Sequence, residues 1–200
     1  MTWSDEELIT AYLEKGDERA FGLLLSRHQE RVFSYLMGMV KDVNIANDLF
    51  QDTFLRVISA LQERRGSYQQ QGRFIYWVIR IARNTTLDYL RTRKKWKDVA
   101  DAEDDENSFW DRLSDDAPNA ADLMMSLEQR EWLEACIAQL SPEQREVLLM
   151  RHDAGLSFKE IAVLTNCSIN TALGRMRYAL LNLQKIMARM GKPELVDLNE

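Results

Sequence analysis

Arg175 and Arg177 lie in a stretch, SINTALGRMRYAL (168–180), that contains no acid. Guanidinium forks pair bidentately with guanine edges and amides with adenine edges, so Asn170, Arg175 and Arg177 carry the chemistry of base readout. Ser168, Thr171 and the first turn of a helix suit phosphate oxygens. Gly174 costs about 1 kcal/mol inside a helix relative to Ala, but it lets the backbone approach a partner closely. A second group lies earlier in the chain. At spacings of three and four, Arg73, Trp77, Arg80, Asn84, Asp88 and Arg91 form one stripe, and Arg83, Arg93, Lys94 and Lys95 add to its charge. Cations that follow a phosphate backbone beside a ring on which bases stack suit unpaired nucleic acid. Trp77 reads equally well as a half-buried core indole, and the residues alone leave both readings open.

Other chemistries find no support. His28 and His152 have no paired nucleophile, there is no glycine-rich phosphate loop, and Cys136 and Cys167 match no zinc spacing. The two thiols read as core-facing in a reducing compartment. DAEDDENSFWD resembles a calcium loop only in its acids, since it lacks the central glycine and the closing glutamate. Neither enzymatic activity nor a cofactor is expected.

The elements that must position these residues are helices. Ser4 with Glu7 makes a capping box for a first helix ending near Gly16, and Asp17 caps a second. Ala20, Phe21, Leu24, Leu25, His28, Val32, Phe33 and Leu36 recur there at helical spacing. A third helix is expected from about Asp42–Asn44 to Gln62, with Ile45, Leu49, Phe50, Phe54, Val57, Ile58 and Leu61 inward. A loop bracketed by Gly66 and Gly72 leads into a fourth over roughly 73–95. Further on, a helix over about 121–140 precedes two more start signals. Ser141-Pro142 with Gln144 closing a capping box is one, and Ser157 as cap with Glu160 reaching back is the other. In the second, Ala162 is small enough for two helices to cross, and Asn166 tolerates positive φ in a tight turn. Those are the requirements of a helix-turn-helix. The bland alternative is a helical hairpin with a solvated basic face.

The 200 residues carry a formal net charge of −6, which by itself argues against a polyanionic partner. The charge is partitioned, however. Residues 98–122 hold ten acids and one base, so the rest of the chain is net positive, and residues 73–97 hold eight bases against Asp88. The acidic stretch has no sustained apolar pattern and reads as a flexible linker. No apolar run approaches the length of a membrane span, and MTWSDEELITAYLEKGDE lacks the basic start of a signal peptide, so no membrane insertion and a cytoplasmic location are expected. The expected fold is all-α. Two small helical domains, 1–97 and 123–200, are joined by the linker 98–122, and the C-terminal one is a helix-turn-helix.

Three segments in order, NDLFQDTFLRV, WVIRIARN with LDYLR, and the terminal helix-turn-helix, closely resemble bacterial RNA polymerase sigma factors of the extracytoplasmic-function group. The resemblance covers residues 18–186. It implies that Asp48, Gln51, Asp52, Leu55 and Arg56 dock on core RNA polymerase. It also implies that Arg73, Trp77, Arg80, Arg83, Asn84, Asp88, Arg91, Arg93, Lys94 and Lys95 bind and melt the minus-10 element. Ser168, Asn170, Thr171, Leu173, Gly174, Arg175 and Arg177 would read the minus-35 element. The loop GSYQQQG would lie beside a flipped base, the acidic linker would thread toward the polymerase active site, and an anti-sigma factor would control the chain. Asn166 stands where relatives usually carry glycine. Leu173 replaces a polar or basic residue, and a thymine methyl is the partner that its side chain suits. Two rivals make different demands. A stand-alone helix-turn-helix regulator would bind duplex DNA tightly by itself, whereas a sigma-mimicking protein that titrates an anti-sigma factor would not need the basic stripe around Trp77.

Overall fold

The computed structural model describes residues 3–63, 73–97 and 120–191; within these, the side chains of residues 63, 94–97 and 120–128 are left aside. The described chain is helical throughout. The helices are α1 (Asp5–Lys15), α2 (Glu18–Val40), α3 (Val43–Glu63), α4 (Phe74–Lys97), α5 (Ala120–Ala138), α6 (Pro142–His152), α7 (Phe158–Leu164) and α8 (Ile169–Met190). The loop GSYQQQG and most of the acidic stretch lie outside the described residues.

Local chemistry sets most helix ends. The Ser4 hydroxyl accepts from the Glu7 amide while the Glu7 carboxylate accepts from the Ser4 amide, and Gly16 closes α1 in the left-handed region. The Asp17 carboxylate accepts from the Arg19 and Ala20 amides at the start of α2. Ser141 caps α6 by accepting from the Gln144 amide at 3.4 Å. The return half of the expected box is not what Gln144 supplies: its side-chain oxygen accepts from Asn182 of α8. At α7 the box is complete, with Ser157 and Glu160 bonded reciprocally.

Helices α1–α4 pack around Leu8, Leu24, Val32, Leu36, Val57, Leu61, Val78 and Ile79, all nearly or fully buried. In the C-terminal part, Val147, Met150, Leu156, Ile161 and Ala172 close α6, α7 and α8 on one another. The two groups form one continuous apolar cluster, because α6 lies against α2. Gly38 makes that approach possible. A β-carbon there would lie 2.6 Å from one Leu149 methyl and 2.8 Å from the other, so Leu149 occupies the space that a side chain would need. Tyr35, one turn earlier on α2, is fully buried; burial and the nearby Glu146 carboxylate push its phenol well above the ordinary value.

Candidate nucleic-acid interface

The α3 candidates fall on one exposed stripe. Asp48, Gln51, Leu55 and Arg56 face solvent, Leu55 with 64% of its surface exposed, and Asp52 is half-buried. Spacing explains the arrangement, because Leu49, Thr53, Phe54 and Val57 take the inward face and leave the stripe outside. Arg56 donates to Asp52 at 3.0 Å one turn away, so the stripe carries an exposed ion pair. Leu55 thus stands exposed between charged and polar side chains on the outer face of α3.

Helix α4 divides its candidates. Arg80, Asn84, Asp88, Arg91 and Arg93 are exposed, with Arg91 and Asp88 3.4 Å apart across one turn. Lys94 and Lys95 lie on the helix, their side chains outside the description. Trp77 is half-buried, packs against the core cluster and sits 5.9 Å from Phe74, ring to ring. Arg73 and Arg83 are both engaged by the C-terminal part. Arg73 grips Glu160 with Nε at 3.1 Å and Nη2 at 2.6 Å, and Nη2 also donates to the Gly155 carbonyl at 3.1 Å. Arg83 donates through Nε to Glu146 at 2.8 Å, in a pair with little solvent contact. Burial pushes the Glu160 carboxyl up, but hydrogen bonds from Arg73 and Ser157 outweigh it and hold the group below the ordinary carboxylate value.

The helix-turn-helix is α7, a turn and α8. Asn166 adopts φ 50° in that turn, and the Cys167 amide donates to the Ala162 carbonyl at 2.9 Å, closing the crossing where Ala162 is buried. Ser168 caps α8 by accepting from the Thr171 amide at 3.0 Å, and the two hydroxyls are 2.8 Å apart. Ala172, Met176 and Ala179 turn inward, so Asn170, Leu173 and Arg177 are presented together on the opposite, exposed face. Gly174 and Arg175 are half-buried beside it, and space is open where a Gly174 β-carbon would stand. Helix α8 carries Arg175, Arg177, Lys185 and Arg189 and no acid.

Sequence reasoning missed four contributors. Glu146, Glu160, Gly38 and Lys41 bind one half of the chain to the other; Lys41 Nζ donates to the Ala138 carbonyl at 3.1 Å. One of these had a local signal with a different meaning: Glu160 was legible as a cap. Cys136 is buried and Cys167 half-buried, in keeping with unbridged thiols. Among the described residues, no group of His, Cys, Asp and Glu side chains could hold a metal ion, and no helix is long and apolar enough to cross a membrane.

An exposed stripe around Leu55 on α3, a cationic α4 and a helix-turn-helix on one chain define a class, and comparison with known proteins supports the assignment. Residues 24–96 match Sigma-70 region 2 and residues 130–181 match Sigma-70, region 4. The ECF RNA polymerase sigma-E factor of Escherichia coli K12 is 30% identical over 173 residues, covering 86% of this chain and 88% of its own length. The RNA polymerase sigma-H factor of Pseudomonas aeruginosa is 28% identical over 178 residues, covering 88% and 90%. Two solved structures share the fold. The sigma factor RpoE of Bartonella quintana, in complex with the anti-sigma factor NepR, has a TM-score of 0.64 at 20% identity, over 84% of this chain and 96% of that one. CnrH, in complex with the cytosolic domain of CnrY, has a TM-score of 0.62 at 20% identity, over 94% and 100%. The chain belongs to the sigma-70 family of transcription-initiation factors, and within it to the extracytoplasmic-function (ECF) group.

Proposed function

We propose that this chain binds core RNA polymerase, directs it to a specialised set of promoters, and melts them there in the cytoplasm. The single observation that carries this reading is the placement of three separate surfaces on one chain in the family's order. The exposed α3 stripe around Leu55 would dock on polymerase. The cations of α4 would take the minus-10 strand as it unpairs, and the exposed Asn170–Leu173–Arg177 face of α8 would read the minus-35 duplex. Trp77 would act as the wedge between bases once its half-buried ring is freed. The domain limits 1–97 and 123–200 belong to the same proposal, with the acidic segment between them. Control by an anti-sigma factor is supported by the related RpoE structure, which holds the anti-sigma factor NepR.

Run-off transcription on genomic fragments, with core polymerase and with or without this chain, tests the reading. New start sites that depend on the chain are expected, with a shared pair of upstream elements. If no start sites appear and the chain alone shifts duplex DNA in a mobility assay, it is a stand-alone regulator.

A further inference from the structure

A cleft of about 300 Å³ opens between the end of α5, the start of α6 and the last turns of α8. Gln139, Ser141 and Gln144 form one side, Asn182, Lys185 and Arg189 the other, and the half-buried Ile186 is its apolar lining residue. Among the described residues no acid lines it: α8 carries none, and Glu143 of α6 stands outside the lining. The cations of the cleft are therefore left without a counter-charge. Arg189 donates through Nη2 to the side-chain oxygen of Gln139, a neutral acceptor that leaves the rest of the guanidinium fork unused. Gln139 is held in turn at the Met190 sulfur, 2.9 Å from its amide nitrogen. Asn182 donates to the Gln144 side-chain oxygen at 3.1 Å, so the Gln144 amide nitrogen remains available to donate. Lys185 is exposed and has no hydrogen-bond or ion-pair partner among the described residues.

We propose that this cleft binds a small molecule bearing a diphosphate, with Lys185 and Arg189 on the two phosphates and Gln144 donating beside them. Residues four apart on a helix stand about 5–6 Å from each other at their β-carbons, a reach that suits two phosphates joined through one oxygen. The guanidinium fork takes two oxygens of one phosphate, and the ammonium meets the other as a point charge. The volume is on the scale of small-ligand sites, and the walls come from three helices of one part of the chain. The cleft is also separate from the DNA-reading face, because Lys185 lies two turns beyond Arg177, about 12 Å further along α8. A bound diphosphate ties the turn between α5 and α6 to the end of α8, and so stabilises the folded C-terminal part by mass action. The inference stands independently of the sigma-factor reading.

Isothermal titration calorimetry of the full-length chain with inorganic pyrophosphate, at fixed ionic strength and without divalent cations, tests the site. One saturable site per chain is expected. Lys185→Gln and Arg189→Gln should each weaken it about tenfold or more, the worth of one hydrogen bond between charged groups. Both side chains are exposed, so the variants keep the fold, and thermal unfolding without ligand verifies this. Absence of a saturable site in the parent chain overturns the proposal. So does a site that survives unchanged in the Lys185→Gln/Arg189→Gln double variant, because the anion then binds elsewhere on the basic surface. A second titration with adenosine diphosphate separates the sources of the ligand. Binding at least as tight as that of pyrophosphate assigns the diphosphate to a nucleotide, and weaker binding assigns it to the free anion; both results uphold the site.

Discussion

The two arginine–glutamate pairs set hydrogen-bond geometry against burial. By distance, Arg73–Glu160 is the stronger, with contacts at 2.6 and 3.1 Å against 2.8 and 3.5 Å for Arg83–Glu146. By burial the order reverses. Side-chain exposures are 51% and 21% for Arg73 and Glu160, but 19% and 10% for Arg83 and Glu146. Solvent screens an exposed pair to less than about 1 kcal/mol, whereas a hydrogen bond to a charged group shielded from water contributes about 1.5–3 kcal/mol. Double-mutant cycles should therefore give a coupling energy for Arg83–Glu146 at least twice that for Arg73–Glu160. Each cycle takes the two single alanine variants, the double variant and the parent through urea unfolding. The single variant Glu146→Ala has a built-in ceiling. Stranding a buried guanidinium costs about 3–5 kcal/mol, but the chain can open and rehydrate it, so the measured loss cannot exceed the free energy of closure. A coupling for the exposed pair equal to or larger than that for the buried one would refute the argument, and would mean that bond geometry rather than screening decides this interface.

Three further outcomes follow from individual residues. Asn166→Ala should destabilise the chain by about 1 kcal/mol because alanine resists the left-handed conformation at φ 50°, whereas Asn166→Gly should be near neutral; thermal unfolding separates them. Burial pushes the His28 imidazole below its ordinary value of 6.5, against the pull of Asp5 2.7 Å away. The unfolded chain then takes up a proton that the folded chain resists. The stability tied to neutral His28 is complete above pH 6.5 and is lost as pH falls through the folded value, and His28→Gln should flatten that part of a melting-temperature profile. Asp52→Arg breaks an exposed pair and should change stability by less than about 1 kcal/mol, yet lower the affinity for core polymerase about tenfold; unchanged co-purification with core would remove the α3 stripe from that interface.

What was legible in the sequence is what depends on near neighbours. The boxes at Ser4–Glu7 and Ser157–Glu160 form because each joins a side chain to a backbone amide three residues away, and the αL turn at Asn166 follows from the one side chain. The inward faces of α2 and α3 could be read from spacing, as could the exposed candidates on α8. Lys41 was not legible. It ends α2 at φ 57°, where glycine or asparagine is usual, and its side chain reaches Ala138, 97 positions away. The engagement of Arg83 by a residue 63 positions on, and of Arg73 by one 87 positions on, is likewise invisible to any periodicity.

The acidity of the chain therefore has two separate consequences. Ten of its acids lie in one segment, and that segregation leaves α4 and α8 basic despite a net charge of −6. The acids that hold Arg73 and Arg83 from the other half of the chain, Glu160 and Glu146, come from neither that segment nor any acidic run. Each is a single residue on a short helix, and Glu160 also caps the helix that bears it. A map of charge along the sequence points to the linker and not to these two residues. Packing brings two glutamates to Arg73 and Arg83, where α6 lies against α2 and Gly38 leaves room for Leu149.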